Sequence, residues 1–153
     1  MITRKVVSFE ELDKSVGFWE TLFGVVHDEC TLPDVLSSLC ESELHQIYVE
    51  GVVVGFFTAD RQSSNLVEIH AFVYPQFRKY SLDALREMER AWDCSIVTSV
   101  WSTHSHACKI LTRMGFVHIE TEEDEIRKCG NLYNIDYFYK EKQDGKEDSN
   151  YYK

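Results

Sequence analysis

The sequence predicts a mixed α/β fold, helices on the faces of one mixed sheet. Three observations carry that reading. Apolar residues recur at helical spacing in the first quarter of the chain, at a spacing of two from His45 onward, and then in alternating helical and strand stretches. Turn residues such as Glu50-Gly51 stand between the periodic runs. A chain of 153 residues, 44 % hydrophobic and 27 % charged, matches a domain with one core. The expected element order is ααβββαβαββ, with one domain over residues 1–140 and a polar tail over 141–153.

Ser8-Phe9-Glu10-Glu11 has the form of a capping box, so a helix begins there. Phe9, Leu12, Val16, Trp19 and Leu22 mark its apolar face, and Gly24 stands where a left-handed terminal residue is wanted. Pro33 opens a second short helix to about Cys40, since a missing amide costs nothing in a first turn. Gln46 to Val49 and Val52 to Ala59 form a hairpin, Arg61 to Asn65 a polar turn, and Leu66 to Val73 a strand ended by Pro75. Leu82, Leu85, Met88 and Trp92 return to helical spacing. Ser95 to Trp101 is a strand, His104 to Met114 a helix closed by Gly115, and Phe116 to Thr121 a strand. In the last strand, Leu132 to Tyr139, Leu132, Asn134, Asp136 and Phe138 share one face and Tyr133, Ile135, Tyr137 and Tyr139 the other.

Composition excludes several classes of function. Sixteen basic residues against twenty-six acidic ones give a net charge of −10, and residues 117–150 hold ten acidic and five basic ones. Basic residues do not run beyond pairs such as Arg78-Lys79, so no nucleic-acid partner is expected. The first residues lack the apolar core of a secretory signal and no stretch has the ~20 apolar residues of a membrane span, so a cytoplasmic protein without a membrane partner is expected. Five cysteines without a CxxC pair read as buried free thiols. His104-Ser105-His106 lacks a third ligand at recognisable spacing, so no metal is expected.

The strand Leu66 to Val73, followed by Tyr74-Pro75-Gln76-Phe77-Arg78 and a helix, resembles the central segment of the GNAT N-acetyltransferases. There a V-x-P-x-x-R-G-x-G-x-G/A run binds the pyrophosphate of acetyl-CoA. Ala107 to Phe116, ending in Gly115-Phe116, is similar to the family's N-x-x-A-(x)7-G-F signature. The resemblance implies a GNAT-like sheet, acetyl-CoA as cofactor, an amine-bearing acceptor, and carbonyl polarisation by amides near Val73 and Tyr74. It assigns the cofactor to Val73, Tyr74, Arg78, Lys79, Tyr80, Ser81 and His104, the last at the family's Asn position.

The chain departs from that pattern. Its glycines leave none between Phe56 and Met114, and the three small loop positions hold Lys79, Ser81 and Asp83. Lys79 can offer a charge to a phosphate, Ser81 reads as an N-cap competing for amides, and Asp83 repels an anion held there. Leu111 occupies the place of the tyrosine that protonates the leaving thiolate. Glu68 and His70 are the candidate general bases, because i, i+2 spacing puts both on one strand face; pairing with each other or a solvated face is the competing reading.

Cys108 reads as a buried structural thiol. Phe56, Phe57 and the tyrosines at 133, 137 and 139 read as packing, the run Glu120 to Glu125 as a solvated hairpin connection, and Tyr151-Tyr152 as part of the tail. Two functions follow. One is an acetyl-CoA-dependent N-acetyltransferase with a degenerate pyrophosphate loop. The other, implied by the similarity of Phe77 to Leu85 to small bacteriophage GNAT-like proteins, is a non-catalytic module binding a protein partner in virion or head assembly.

Overall fold

Local signals hold at the first helix. The Glu11 amide donates to Ser8 Oγ at 3.3 Å and the Ser8 amide to Glu11 Oε1 at 3.4 Å, closing the capping box that starts α1 (Phe9–Leu12). The single long helix expected from Phe9 to Leu22 does not form. Gly17 takes φ +98°, and a Cβ there would meet the Tyr74 ring at 3.1 Å, so the chain breaks and restarts as α2 (Phe18–Val25). The break re-aims the apolar face: Phe18 and Leu22 are buried, while Val16 and Trp19 are 80 % and 39 % exposed. Gly24 lies inside α2 rather than beyond its end. Pro33 in the first turn starts α3 (Leu32–Glu41) as expected, joined by a capping box of Thr31 with Asp34 that the sequence reading did not single out.

The computed structural model describes residues 1–142, so the expected tail lies mostly outside the described residues. Its sheet contains a strand that periodicity did not reveal, β1 (Ile2–Val7), antiparallel to β2 (Glu43–Val49). As an edge strand β1 fully buries only Val7, so its sequence carries no clean alternation. Glu50 and Gly51, both at positive φ, turn β2 into β3 (Val52–Ser63), which runs through Arg61 where a turn was expected. Then follow β4 (Leu66–Val73), a 3-10 segment (Pro75–Tyr80), α4 (Ser81–Arg90), β5 (Ser95–Trp101), α5 (Ser105–Arg113), β6 (Val117–Lys128) and β7 (Asn131–Lys140).

The acidic run is not a connection. Glu120 to Glu125 lie within β6, an edge strand bent by irregularities at His118/Glu120 and Glu122/Ile126 and by Asp124 at φ +53°. Charges and bulges on an edge discourage pairing with other chains.

The strand order is β1-β2-β3-β4-β5-β7-β6, with β4 and β5 parallel and every other pair antiparallel. Each face of the sheet has its own core. On one, Phe57, Val67, Ile69, Ile96 and Phe138 pack against Ala84 and Met88 of α4 and Ile110 and Leu111 of α5. On the other, Leu44, Phe56, Phe72 and Tyr74 pack against Leu12, Phe18, Leu22 and Leu39 of α1 to α3. Phe56 and Phe57 point to opposite faces and both are fully buried, the packing role expected of them. Of the cysteines only Cys94 is buried; Cys40 and Cys129 are exposed, which corrects the expectation of buried thiols. No helix among the described residues is long and apolar enough to cross a membrane.

Candidate functional site

The parallel pair is short. β4 and β5 join only over Leu66 to Glu68 and Ser95 to Val97, then diverge, each still bonded to its outer neighbour β3 or β7. A cleft of about 680 Å³ opens in the gap. The Tyr74 amide donates to Val54 O at 2.9 Å, and the Phe72 carbonyl lies against Gly55 on β3. Because antiparallel strands alternate the direction of their polar groups, Ala71 and Val73 turn theirs the other way, into the cleft. Val73 therefore presents an amide there, while Tyr74 does not. The Tyr74 side chain is fully buried, its hydroxyl 2.5 Å from Ser15 Oγ.

Below the cleft the chain forms a tight 3-10 segment that runs directly into α4. Ser81 has helical φ −56° and ψ −44°, and its amide donates to the Arg78 carbonyl. Ser81 is thus the first residue of the helix and not its N-cap, a place that falls to Tyr80 without a side-chain cap. The cause is continuity: a helical turn already precedes Ser81, so its backbone has no extended residue to cap from. Arg78 and Ser81 line the cleft, whereas the Lys79 ammonium sits 5.1 Å from the Tyr80 ring.

The opposite wall is the turn from β5 into α5, with His104, Ser105 and His106. His104 is held from two sides. Its amide donates to Trp101 O at 2.9 Å, and its ring stacks on Trp101 at 5.8 Å and 14°. Trp101 also stacks on Tyr133, and Lys128 Nζ lies 5.6 Å from the indole. Burial, then the Arg78 and Lys128 cations, hold the His104 imidazole below the usual histidine range. From α2, Glu20 and Thr21 close the near side, and the Thr21 hydroxyl is buried without a partner among the described residues.

Known structures share this overall fold. The phosphinothricin acetyltransferase of Sinorhizobium meliloti in complex with AcCoA aligns with 92 % of this chain and 88 % of its own at a TM-score of 0.67 and 15 % identity. Arabidopsis thaliana NAA60 in complex with a bisubstrate analogue aligns over 92 % and 98 % at a TM-score of 0.69 and 14 % identity. The ribosomal-protein-alanine N-acetyltransferase of Brucella melitensis aligns over 91 % and 99 % at 0.64 and 12 %. The chain has the GNAT acetyltransferase fold. No protein-family model and no curated relative matches the sequence.

On this GNAT sheet Glu68 and His70 share one face of β4 and bond to each other, Oε2 to Nε2 at 3.4 Å. That bond holds the Glu68 carboxyl below its usual range. Neither residue lines the cleft. Leu111 is 3 % exposed within the core. Burial, then Asp136, pushes the Cys108 thiol up, so it stays protonated and weakly nucleophilic. Among the described residues no three His, Cys, Asp or Glu side chains converge as metal ligands. Sequence reasoning missed Glu20 and Thr21, which reach the cleft only because Gly17 turns α2, and Trp101 as the support of His104. The signal available for Trp101 was a large aromatic ending a strand just before a polar helix start.

Proposed function

We propose that the chain is an acyltransferase that holds acetyl-CoA in the β4/β5 cleft and transfers the acetyl group to an amine. The observation that carries this reading is the parting of the two parallel strands, which leaves the Val73 amide facing a cleft large enough for the pantetheine arm. An amide fixed there polarises the thioester carbonyl and stabilises the oxyanion that develops on attack. CoA supplies the activated acyl group; the chain supplies orientation, water exclusion and proton transfer.

The pyrophosphate is held differently from the glycine-loop pattern. The Ser81 amide is engaged with Arg78 O, and Asp83 in the first turn of α4 opposes an anion. Arg78, on the cleft wall, is the cation placed to meet a phosphate, and Lys79, over the Tyr80 ring, is not. Calorimetry with acetyl-CoA tests this. One molecule is expected to bind per chain; Arg78→Ala is expected to weaken binding about tenfold, a charge-assisted hydrogen bond, and Lys79→Ala to leave it nearly unchanged. Absence of binding at millimolar acetyl-CoA would refute the enzyme reading in favour of a protein-binding module on a GNAT scaffold.

A further inference from the structure

We propose that His104 is the catalytic acid and base of this site, taking the proton of the attacking amine and returning it to the leaving thiolate. The inference rests on the reading of the cleft as the acetyl-CoA site. The candidate bases read from the sequence lie outside the cleft. Glu68 and His70 bond to each other on a sheet face outside its lining, and Leu111 has no proton to give. Tyr137, hydrogen-bonded to Glu122 and flanked by Glu125 and Glu120, is pushed up to about 12 and lies outside the lining too.

His104 combines access with a fixed orientation. His104 lines the cleft across from β4, its ring plane set by the Trp101 stack and its backbone by the bond to Trp101 O. Trp101 is in turn packed by Tyr133, by Lys128 and, edge-on, by His27. The charged and titratable groups around His104 are Arg78 of the 3-10 segment, Lys128 of β6, His106 of α5 and Glu20 of α2 on the same cleft, with His27 beyond the indole. His104 is exposed as a whole residue, and partial desolvation, then the Arg78 and Lys128 cations, shift its imidazole toward the neutral form, the one that accepts a proton.

The step balances with groups already present. A neutral amine attacks the thioester carbon, and the proton surplus on its nitrogen passes to the imidazole as the C–N bond forms. The C–S bond then breaks, and the thiolate takes that proton from the imidazolium, leaving an amide, free CoA thiol and neutral His104.

The test is thiol release from acetyl-CoA, with n-butylamine and with water as acceptors, by the full chain and its H104A and H104N variants. Both variants are expected to retain measurable acetyl-CoA binding by calorimetry and, with acetyl-CoA saturating, to release thiol about 10²- to 10⁴-fold more slowly. Free imidazole added to H104A should restore part of the rate, which a structural role would not allow. In the wild type kcat/KM should rise with pH through a limb centred below the ordinary value of 6.5, and this limb should vanish in H104N. Variants that bind acetyl-CoA and keep both rate and limb overturn the assignment, as does a wild type that binds without accelerating thiol release. A wild type that does not bind overturns the reading of the cleft itself, and the assignment with it.

Discussion

Gly55 determines how closely β3 and β4 approach at the head of the cleft. A Cβ there would lie 2.3 Å from Phe72 O and 2.9 Å from Val73 Cα, both backbone atoms that no side-chain rotation can clear. Any larger residue must push β4 aside at the position that aims the Val73 amide. Gly55→Ala is therefore expected to destabilise the fold by about 2 kcal/mol or more, the range of overpacking, and to weaken acetyl-CoA binding as well. Thermal denaturation checks the first effect and calorimetry the second; an unchanged melting temperature would refute the close-approach argument. A glycine inside a strand pattern is a visible mark of such an approach. The sequence does not show what approaches, since Phe72 and Val73 come opposite Gly55 only through the β3/β4 register. His104 presents the same division. Its place at a helix start is legible, but its ring stack needs β5, β6 and β7 assembled around it.

At the scale of elements, the tip of the β6–β7 hairpin is clasped to the segment that follows α2. The Asp28 carboxylate accepts from the amides of Cys129 at 3.1 Å and Gly130 at 3.3 Å, and the Asp28 amide donates to Arg127 O at 2.7 Å. Lys128 Nζ donates to Phe23 O and Gly24 O, the unbonded carbonyls ending α2, at 2.9 and 3.0 Å. The clasp thus ties the helix that walls the cleft at Glu20 and Thr21 to the hairpin that supports Trp101. Asp28→Ala is expected to cost about 1 kcal/mol, a typical loss for hydrogen bonds in water-exposed surroundings. It should also speed hydrogen exchange at the Cys129 and Gly130 amides, measured by NMR, while leaving β4 protected; equal protection in the variant would show that the clasp contributes nothing. Nothing local announces this contact, because its partners lie about a hundred residues apart. The split of α1 from α2 has a similar origin: the 3, 4, 3, 3 spacing favours one helix, and the buried Tyr74 ring beside Gly17 favours two. Where signals were local the elements came out as read, in the Ser8–Glu11 capping box, the Glu50-Gly51 turn, the strand Leu66–Val73 and the two faces of the final strand.

For the whole molecule, acid stability follows from how charges are buried. His45 is 2 % exposed; Arg4 donates to its Nδ1 at 2.9 Å, so its proton resides on Nε2, which reaches Glu43 Oε1 at 2.5 Å. Burial, the largest influence, lowers its pKa from 6.5 despite Glu43, and His104 shifts the same way. The unfolded chain then binds more protons than the folded one just below 6.5. Stability is full above that value and declines as pH falls toward the folded pKa values. The lowered carboxyls of Glu68, Asp34 and Asp136 stabilise the fold above their ordinary values of 4.5 and 3.8 and lose that contribution only further down. Urea denaturation is expected to show a first decline as pH falls through and below 6.5, reduced in His45→Gln, and a second below 4.5; stability that stays flat through 6.5 would refute the role of His45. What the sequence by itself determined was the fold class, most element positions and the absence of glycine between Phe56 and Met114, because periodicity, caps and turns act over a few residues. Only the tertiary structure decided that β4 and β5 part after Glu68, that Val73 rather than Tyr74 faces the gap, and that His104 stands in the cleft while Glu68 and His70 do not. Those outcomes depend on strand register and on packing between segments far apart in the chain, where no local pattern records which neighbour a residue will meet.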